Sequence, residues 1–525
     1  MKTKKQYFYN ALLLTAVTLL MRTVSVAFNV YISGKVGAEA MGLLSLVGGV
    51  FGFAVTLATS GIHLATVRTV AEHLQKTGGA DNSRCLRACL CYATLFGSLA
   101  TVLLLLLARP IGLFALRDAR TVRALQMLAL TLLPIAVTTV FNGYFTAVRR
   151  AFKNAIVQVS EQAIKISLTV YLLLVIAPKT VEGSMLAILL GGAVAESASL
   201  LHNILLYLLD RRRHREKKQR KSGPPIRVAA IALPVAVSAY MRSGLLTIEH
   251  ILIPRGLQRH GAGSSAALAA YGTLQGMALP VVLYPTAILS SFSALLIPEI
   301  TEQNAAKNQT EIRYIAGRAY QMALLFSIGT AAVMLFLSGE LGTVLYGSAE
   351  AGRFIACLAP LIPVMYLDTA TDALLKGLGE QVYSMNVNIL DALVSVISVL
   401  ILVPILGING YVITIYITEI LNASLSICRL LKVSGFRPKI GRLLFRPLVA
   451  ALGATLLGKI LISLLPLTAC NGLTLTLHIL LTVLLYLLLL LSVGGLGKSD
   501  LQWLRESLAA PKRRKKEPFS AILQD

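Results

Sequence analysis

Charge is scarce in this 525-residue sequence: Asp, Glu, Lys and Arg together make up 14% of it. A water-soluble chain carries about 25%. With 56% hydrophobic residues beside it, that shortage excludes a soluble globular fold. No G-x-x-x-x-G-K-[ST] stretch occurs, so no nucleotide-binding loop is present. The longest polar segments, about 210–226 and 498–525, are too short for an ATPase domain. The six cysteines include no C-x-x-C pair, and no histidine lies near Cys85, Cys89 and Cys91. Neither a zinc site nor a disulfide framework is indicated, and Cys357, Cys428 and Cys470 read as small apolar residues of later spans. No metal, cofactor or enzymatic activity is expected.

What the sequence does hold is long apolar runs. A membrane-spanning helix needs about 20 mostly apolar residues. Runs of that kind fall at 7–32, 40–65, 86–108, 124–147, 155–176, 184–208, 228–253, 267–290, 316–338, 353–375, 384–404, 408–431, 444–465 and 473–493. These fourteen runs define an all-α integral membrane protein. "MKTKK" ahead of the first run resembles a signal peptide, but the run is too long and no A-x-A site follows it, so it reads as a retained first span.

The net charge of +25 is unevenly placed. An even number of spans puts both termini on one side. With the N-terminus cytoplasmic, 36 Lys/Arg fall inside, 9 outside and 4 within spans. That is the positive-inside pattern, and the expectation is a multi-pass protein of the bacterial cytoplasmic membrane with both ends inside. "RRRHREKKQRK" (211–221) and "KRRKK" (512–516) contribute most. Anionic lipid headgroups account for such juxtamembrane clusters more simply than nucleic acid does. One loop departs from the pattern: between spans 3 and 4, Arg109, Arg117, Arg120 and Arg123 face outward with only Asp118 opposing them.

The chain also repeats itself. "MRTVSVAFNVYISGK" (21–35) lies over "MRSGLLTIEHILIPR" (241–255) at an offset of 220, matching Arg22 with Arg242, Asn29 with Glu249 and Lys35 with Arg255. After ten inserted residues the offset is 230, and residues 41–72 lie over 271–302 with Gly42 on Gly272 and Glu72 on Glu302. The units start six spans apart and enter the membrane in the same direction, so they are parallel repeats. The expected layout is an N-lobe (1–210), a basic cytoplasmic linker (211–225) and a C-lobe (226–431). Two extra helices (432–497) and a basic cytoplasmic tail (498–525) follow.

Several stretches carry a family resemblance: "KVGAEAMGLLSL" (35–46), "NGYFTAVRR" (142–150), "ALPVAVSAYM" (232–241), "ILIPRGLQRHG" (251–261), "YGTLQGMALPVVLYPTAI" (271–288), "LIPEITE" (296–302) and "LLKGLGEQ" (374–381). With them the chain resembles the oligosaccharide-lipid flippases of the multidrug/oligosaccharidyl-lipid/polysaccharide exporter superfamily. Within these it is similar to the stage V sporulation protein B and polysaccharide-biosynthesis branch, which is related to the lipid II flippases. The resemblance implies two lobes around a central cavity and transfer of a polyprenyl-diphosphate-linked saccharide to the outer leaflet. It also implies that basic residues of spans 1 and 7 approach the diphosphate, where Arg22 stands.

The charges within the spans are the candidate site. Guanidinium binds a diphosphate bidentately and keeps its charge, so Arg22 and Arg242 are expected to hold the headgroup at the midplane, with Lys35 and Arg255 near the outer mouth. Permanent pairing of each arginine with an acid is the competing reading. Glu249 fits either a coupling cation or proton, or neutralisation of Arg255; Asp368 is a second coupling candidate. Lys165 and Glu196 suggest an ion pair inside the N-lobe, while Glu161, Asp391, Glu419 and Lys459 stay unassigned. Asp368 and Asp372, at i and i+4 on one face, offer a Mg²⁺-dependent membrane prenyltransferase as a reading from another class. A cation-coupled drug exporter is the alternative within the superfamily. Pro280 and Pro285 predict a bend in span 8. The sequence sets no oligomeric state.

Overall fold

The structure, a computed structural model, describes residues 2–77, 83–176, 180–213, 228–436, 440–463 and 472–495. Most of the basic linker, the C-terminal tail and Cys470 lie outside the described residues. Among the described residues twelve helices are long and apolar enough to cross a membrane, the first of them Val17–Leu74. That one is two spans merged, because Gly37 (φ 79°, ψ 175°) breaks Lys2–Thr59 into α1 (2–36) and α2, which continues through Ile62–Thr77. The polar helix α5, Ala151–Tyr171, brings the number to fourteen. Its Lys153, Glu161 and Lys165 dilute an otherwise spanning sequence.

The remaining rods follow in order. The first lobe has α3 (Ser83–Pro110), α4 (Arg120–Ala129 and Leu132–Ala147), α5 and α6 (Val181–Arg213) after the first pair. The second has α7 (Val228–Arg259), α8 (from Ser264 to Ala305 with interruptions), α9 (Gln309–Phe336), α10 (Ala349–Leu358 and Ile362–Gly377), α11 (Gln381–Leu406) and α12 (Ile408–Ser434). Then come α13 (Ile440–Ser463) and α14 (Gly472–Ser492). Helix is the natural answer for apolar runs in hydrocarbon, where each backbone N–H and C=O must find its partner within the segment. The side from which α1 starts is called here the terminal face, the other the distal face.

The two lobes meet where α1 and α2 pack on α7 and α8. Glycine makes the tightest approach possible: a Cβ on Gly42 would collide with the Leu268 backbone, and one on Gly272 with the backbone of Ala38 and Gly42. Gly42 and Gly272 are mates in the repeat, and each touches the other, so the pseudo-two-fold axis passes between them. Further along, Tyr240 donates to the Leu57 carbonyl at 3.3 Å and Thr247 to the Gly49 carbonyl at 2.9 Å. The seam is therefore bonded as well as packed.

The repeat extends to the terminal face. Arg149 (φ 60°) ends α4 and Gly379 (φ 84°) ends α10, both left-handed and 230 positions apart. The next residue in each lobe is a charge paired with the lobe's sixth helix. Arg150, with Lys153, pairs with Asp210; Glu380 pairs with Arg429 at 2.9 Å. The geometry is kept and the polarity reversed.

Helices α13 and α14 stand outside the repeat and dock on α9. Tyr486 donates to the Leu325 carbonyl at 2.7 Å, its ring fills the space above Gly329, and His478 reaches Glu340 at 3.3 Å.

Candidate functional site

Helix α8 sets up the site by failing to remain a regular helix. It runs Ser264–Tyr271, widens into a π-helical stretch at Gly272–Ala278, resumes at Leu279–Leu283, and breaks at Tyr284 and Pro285 before restarting at Thr286. Pro280 follows the π stretch and Pro285 sits in the break. Proline lacks an N–H, and the N–H of Ala287 turns back to Tyr284 rather than to Leu283. The carbonyls of Val282 and Leu283 are left for side chains. Tyr366 of α10 donates to Val282 at 2.9 Å. Leu283 accepts from Thr286 at 2.6 Å and, from the other lobe, from Arg22 at 3.2 Å.

Arg22 therefore reaches across the seam. Its Nη2 also lies 3.2 Å from the Thr286 hydroxyl, and the adjacent Thr23 hydroxyl meets the Tyr284 hydroxyl at 2.8 Å. No carboxylate pairs with Arg22 among the described residues. Its charge is held by a neutral carbonyl and a neutral hydroxyl, partners that a phosphate oxygen outcompetes because charge-assisted bonds are stronger.

Arg242, its repeat mate, is placed differently. Its side chain is exposed and makes no hydrogen bond among the described residues, although its neighbour Ser243 bonds Thr56 of α2 at 3.1 Å. Within electrostatic reach of Arg242 are Asp368 of α10, Asp391 of α11 and Glu419 of α12. None of the three closes on it to ion-pair distance. Asp368 and Asp391 each keep one buried carboxylate oxygen without a hydrogen-bond partner. Glu249 is buried beside Ser395, with Asp391, Tyr271 and Tyr411 near it. It does not pair with Arg255, so the neutralisation reading of Glu249 falls away.

Other sequence expectations resolve in the same way. Lys165 and Glu196 are close enough to interact, with Glu161 beside them, but form no direct ion pair. Asp372 is held by Lys376 at 2.9 Å and by the Ser384 hydroxyl, which leaves it committed rather than open beside Asp368. Among the described residues no group of three or more His, Cys, Asp or Glu is gathered to hold a metal ion. Lys35 and Lys459 are exposed. Lys35 lies 13 residues past Arg22 and Arg255 the same distance past Arg242, about 20 Å along each helix. They belong to the distal face and not to the mid-span group.

At that face the structure closes a clasp that the sequence did not show. Glu39 accepts from Arg120 at 2.9 Å and, across the seam, from Ser265 at 2.6 Å. Arg120 also grips Asp118 at 2.6 Å, and Arg123 reaches Glu182 at 3.4 Å. The 3–4 loop is thus opposed by more than Asp118: Glu39 and Glu182 arrive from elsewhere in the chain. Arg255 donates to the Phe114 carbonyl, again across the seam. Thr286, Tyr284, Tyr366, Glu39 and Ser265 were not singled out from sequence. Hydroxyl residues without charge or motif leave no signal there, and Glu39 stands out only as an acid in an otherwise small-residue turn.

Two like-oriented six-helix lobes, meeting along a polar intramembrane seam and followed by two further helices, define a multi-pass membrane protein of the two-lobed exporter fold. The chain belongs to the polysaccharide biosynthesis protein family, whose model matches residues 8–304. A second model, MatE, matches residues 260–402. Stage V sporulation protein B of Bacillus subtilis (strain 168) is 28% identical over 78% of this chain and 80% of its own length. Lipid II flippase MurJ of the same organism is 20% identical over 79% and 81%. A solved structure of lipid II flippase MurJ in an inward closed conformation superposes with a TM-score of 0.66 at 13% identity, covering 91% of this chain and 98% of that one.

Proposed function

We propose that the chain is a flippase that carries a polyprenyl-diphosphate-linked saccharide, a peptidoglycan precursor or another envelope polysaccharide unit, across the cytoplasmic membrane. Arg22 and Arg242 are the headgroup ligands, and both termini are cytoplasmic. The observation that carries this reading is the pair itself. One permanent cation per lobe sits near mid-span at the seam, and neither is paired with a carboxylate among the described residues. An intramembrane guanidinium is expensive to keep and marks a transport path by default. The family match and the relatives' names support the same substrate class.

The mechanism follows from the bonds in place. A diphosphate entering between the lobes draws Arg22 from the Leu283 carbonyl and Thr286. That leaves the break in α8 held by Tyr366 and Thr286 from its own lobe and, across the seam, by the Thr23–Tyr284 hydroxyl bond. Loss of the Arg22 bonds weakens the seam at mid-span and favours rocking of the lobes about the Gly42–Gly272 contact, an alternating-access motion. A membrane potential negative inside favours outward passage of the anion by about 2.3 kcal/mol per charge per 100 mV. Glu249 and Asp368, with Asp391 and Glu419, are the candidates for coupling a cation or proton. The basic linker and tail rest on anionic headgroups.

Those same acids favour a second reading, a cation-coupled drug exporter, since the MatE match covers Asp368 and Asp391. One experiment separates the two. Protein reconstituted in liposomes is given a fluorescent polyprenyl-diphosphate sugar in one arm and a cationic dye in the other. Leaflet exchange of the lipid without dye movement is the expected result; dye movement without lipid exchange would replace the flippase by the exporter.

A further inference from the structure

We propose that the distal face carries a phosphate-binding site of its own, built across the lobe seam from Arg117, Arg255 and Arg259. It is separate from the mid-span pair and is occupied when the seam is closed on that side. Arg117 comes from the first lobe, in the turn that ends the π-helical extension Ile111–Ala115 of α3. It sits in the left-handed region at φ 55°, a conformation that only a well-determined turn imposes on a non-glycine residue. Arg255 and Arg259 come from the second lobe, one turn apart on α7 and hence on one face. Arg255 lies within electrostatic reach of both Arg117 and Arg259, and its bond to the Phe114 carbonyl brings it to the turn that carries Arg117.

Among the described residues the acids of this neighbourhood are already engaged. Asp118 and Glu39 are engaged by Arg120, and Glu182 by Arg123. Arg255 spends Nη2 on the Phe114 carbonyl, while its Nε is buried and has no hydrogen-bond partner. His260 is turned to the Pro404 carbonyl. What remains is three cations from two lobes at one place on the seam, Arg117 and Arg259 exposed and Arg255 half-buried with one buried donor unused. Like charges brought together across an interface oppose its closure. An anion with several acceptor oxygens, able to accept from guanidiniums on both sides, reverses the sign of that interaction. A phosphate group does this; a carboxylate offers fewer acceptors for three forks. Its source is either a lipid headgroup of the adjoining leaflet or a free phosphate. In both cases a bound phosphate holds the distal side shut, and its departure favours opening.

The test uses the full chain in nanodiscs with Arg22→Gln and Arg242→Gln already introduced, so that failure of the mid-span site and failure of this one are told apart. In phosphatidylcholine discs, saturating inorganic diphosphate should raise Tm by about 2–4 °C. Adding Arg117→Gln and Arg259→Gln should abolish the rise. In phosphatidylglycerol discs without added diphosphate, the same two substitutions should lower Tm if the headgroup is the ligand. Arginine dependence in either arm supports the site and names its source. A response in neither arm, or one indifferent to Arg117 and Arg259, overturns it. A second readout avoids the mid-span variants. Spin labels at introduced cysteines replacing Ala119 and Ser264, one on each lobe, should show a narrower interlobe distance distribution with diphosphate. The arginine-substituted protein should show no narrowing, and narrowing in both proteins would also overturn the proposal.

Discussion

The two lobes descend from one pattern, yet Arg22 and Arg242 have been put to different uses. In the first lobe the arginine lies across the seam on a carbonyl released by the break in α8. In the second it stays unbonded above three acids of its own lobe. The reason is in the helix each one faces. Repeat symmetry sets Phe53 and Thr56 of α2 where α8 has Leu283 and Thr286, but α2 is regular helix there and breaks only later, at Ser60 and Gly61. A proline in one lobe and none in the other turns equivalent cations into a clasp and a free ligand. The same divergence appears at the terminal face, where Arg150–Asp210 became Glu380–Arg429. Symmetry of the backbone fixes where charges stand; the partner helix fixes what they do.

The comparison can be broken first at the axis. Gly272→Val would drive a branched side chain into the backbone of Ala38 and Gly42. Overpacking of that kind costs about 3 kcal/mol or more, so little folded protein should survive size-exclusion chromatography in detergent. Gly52→Val, with open space around it, should elute as wild type.

Next comes stability at the two arginines. Arg22→Gln removes two hydrogen bonds from a cation and should lower unfolding free energy by about 1.5–3 kcal/mol, measured by thermal unfolding in detergent. Arg242→Gln removes no bond and should leave stability within about 0.5 kcal/mol of wild type. Equal losses would erase the distinction drawn between them.

A smaller effect is expected at the reversed ion pairs. Both partners of Glu380–Arg429 are partly exposed, so a double-mutant cycle with Gln at each position should give about 1 kcal/mol of coupling. Exchanging the two charges, Glu380→Arg with Arg429→Glu, should recover most of it, as the opposite polarity at Arg150–Asp210 implies. Smallest is the docking of α14. His478→Gln at the Glu340 contact should change stability by only a few tenths of a kcal/mol, because Glu340 is 40% exposed and the Tyr486 anchor remains.

The sequence was most informative where a physical rule acts on every residue of a run. Apolar length gave the fourteen spans, including α5 despite its charges, because hydrocarbon leaves a backbone no other way to satisfy itself. The repeat was visible in Gly42 and Gly272, since a close backbone approach tolerates only glycine. Arg22 and Arg242 stood out because charge at mid-span is rare. Their partners did not. Thr286, Tyr284 and Tyr366 are ordinary residues whose role depends on which carbonyl Pro285 releases, and that is set in three dimensions. Opposition of the 3–4 loop by Glu39 and Glu182 was hidden for the same reason: ion pairs between distant segments leave no local trace. Lys165 and Glu196 show the reverse case, charges on neighbouring helices that look paired in sequence and do not touch.

The most direct measurement is leaflet exchange of a fluorescent polyprenyl-diphosphate sugar in liposomes holding equal amounts of wild type, Arg22→Gln, Arg242→Gln and the double variant. If the two cations jointly hold the headgroup, each single change should slow exchange by about 10–100-fold, the equivalent of one charge-assisted contact at 1.5–3 kcal/mol, and the double variant should fall to the background of empty vesicles. Exchange at the wild-type rate in both single variants would contradict the account.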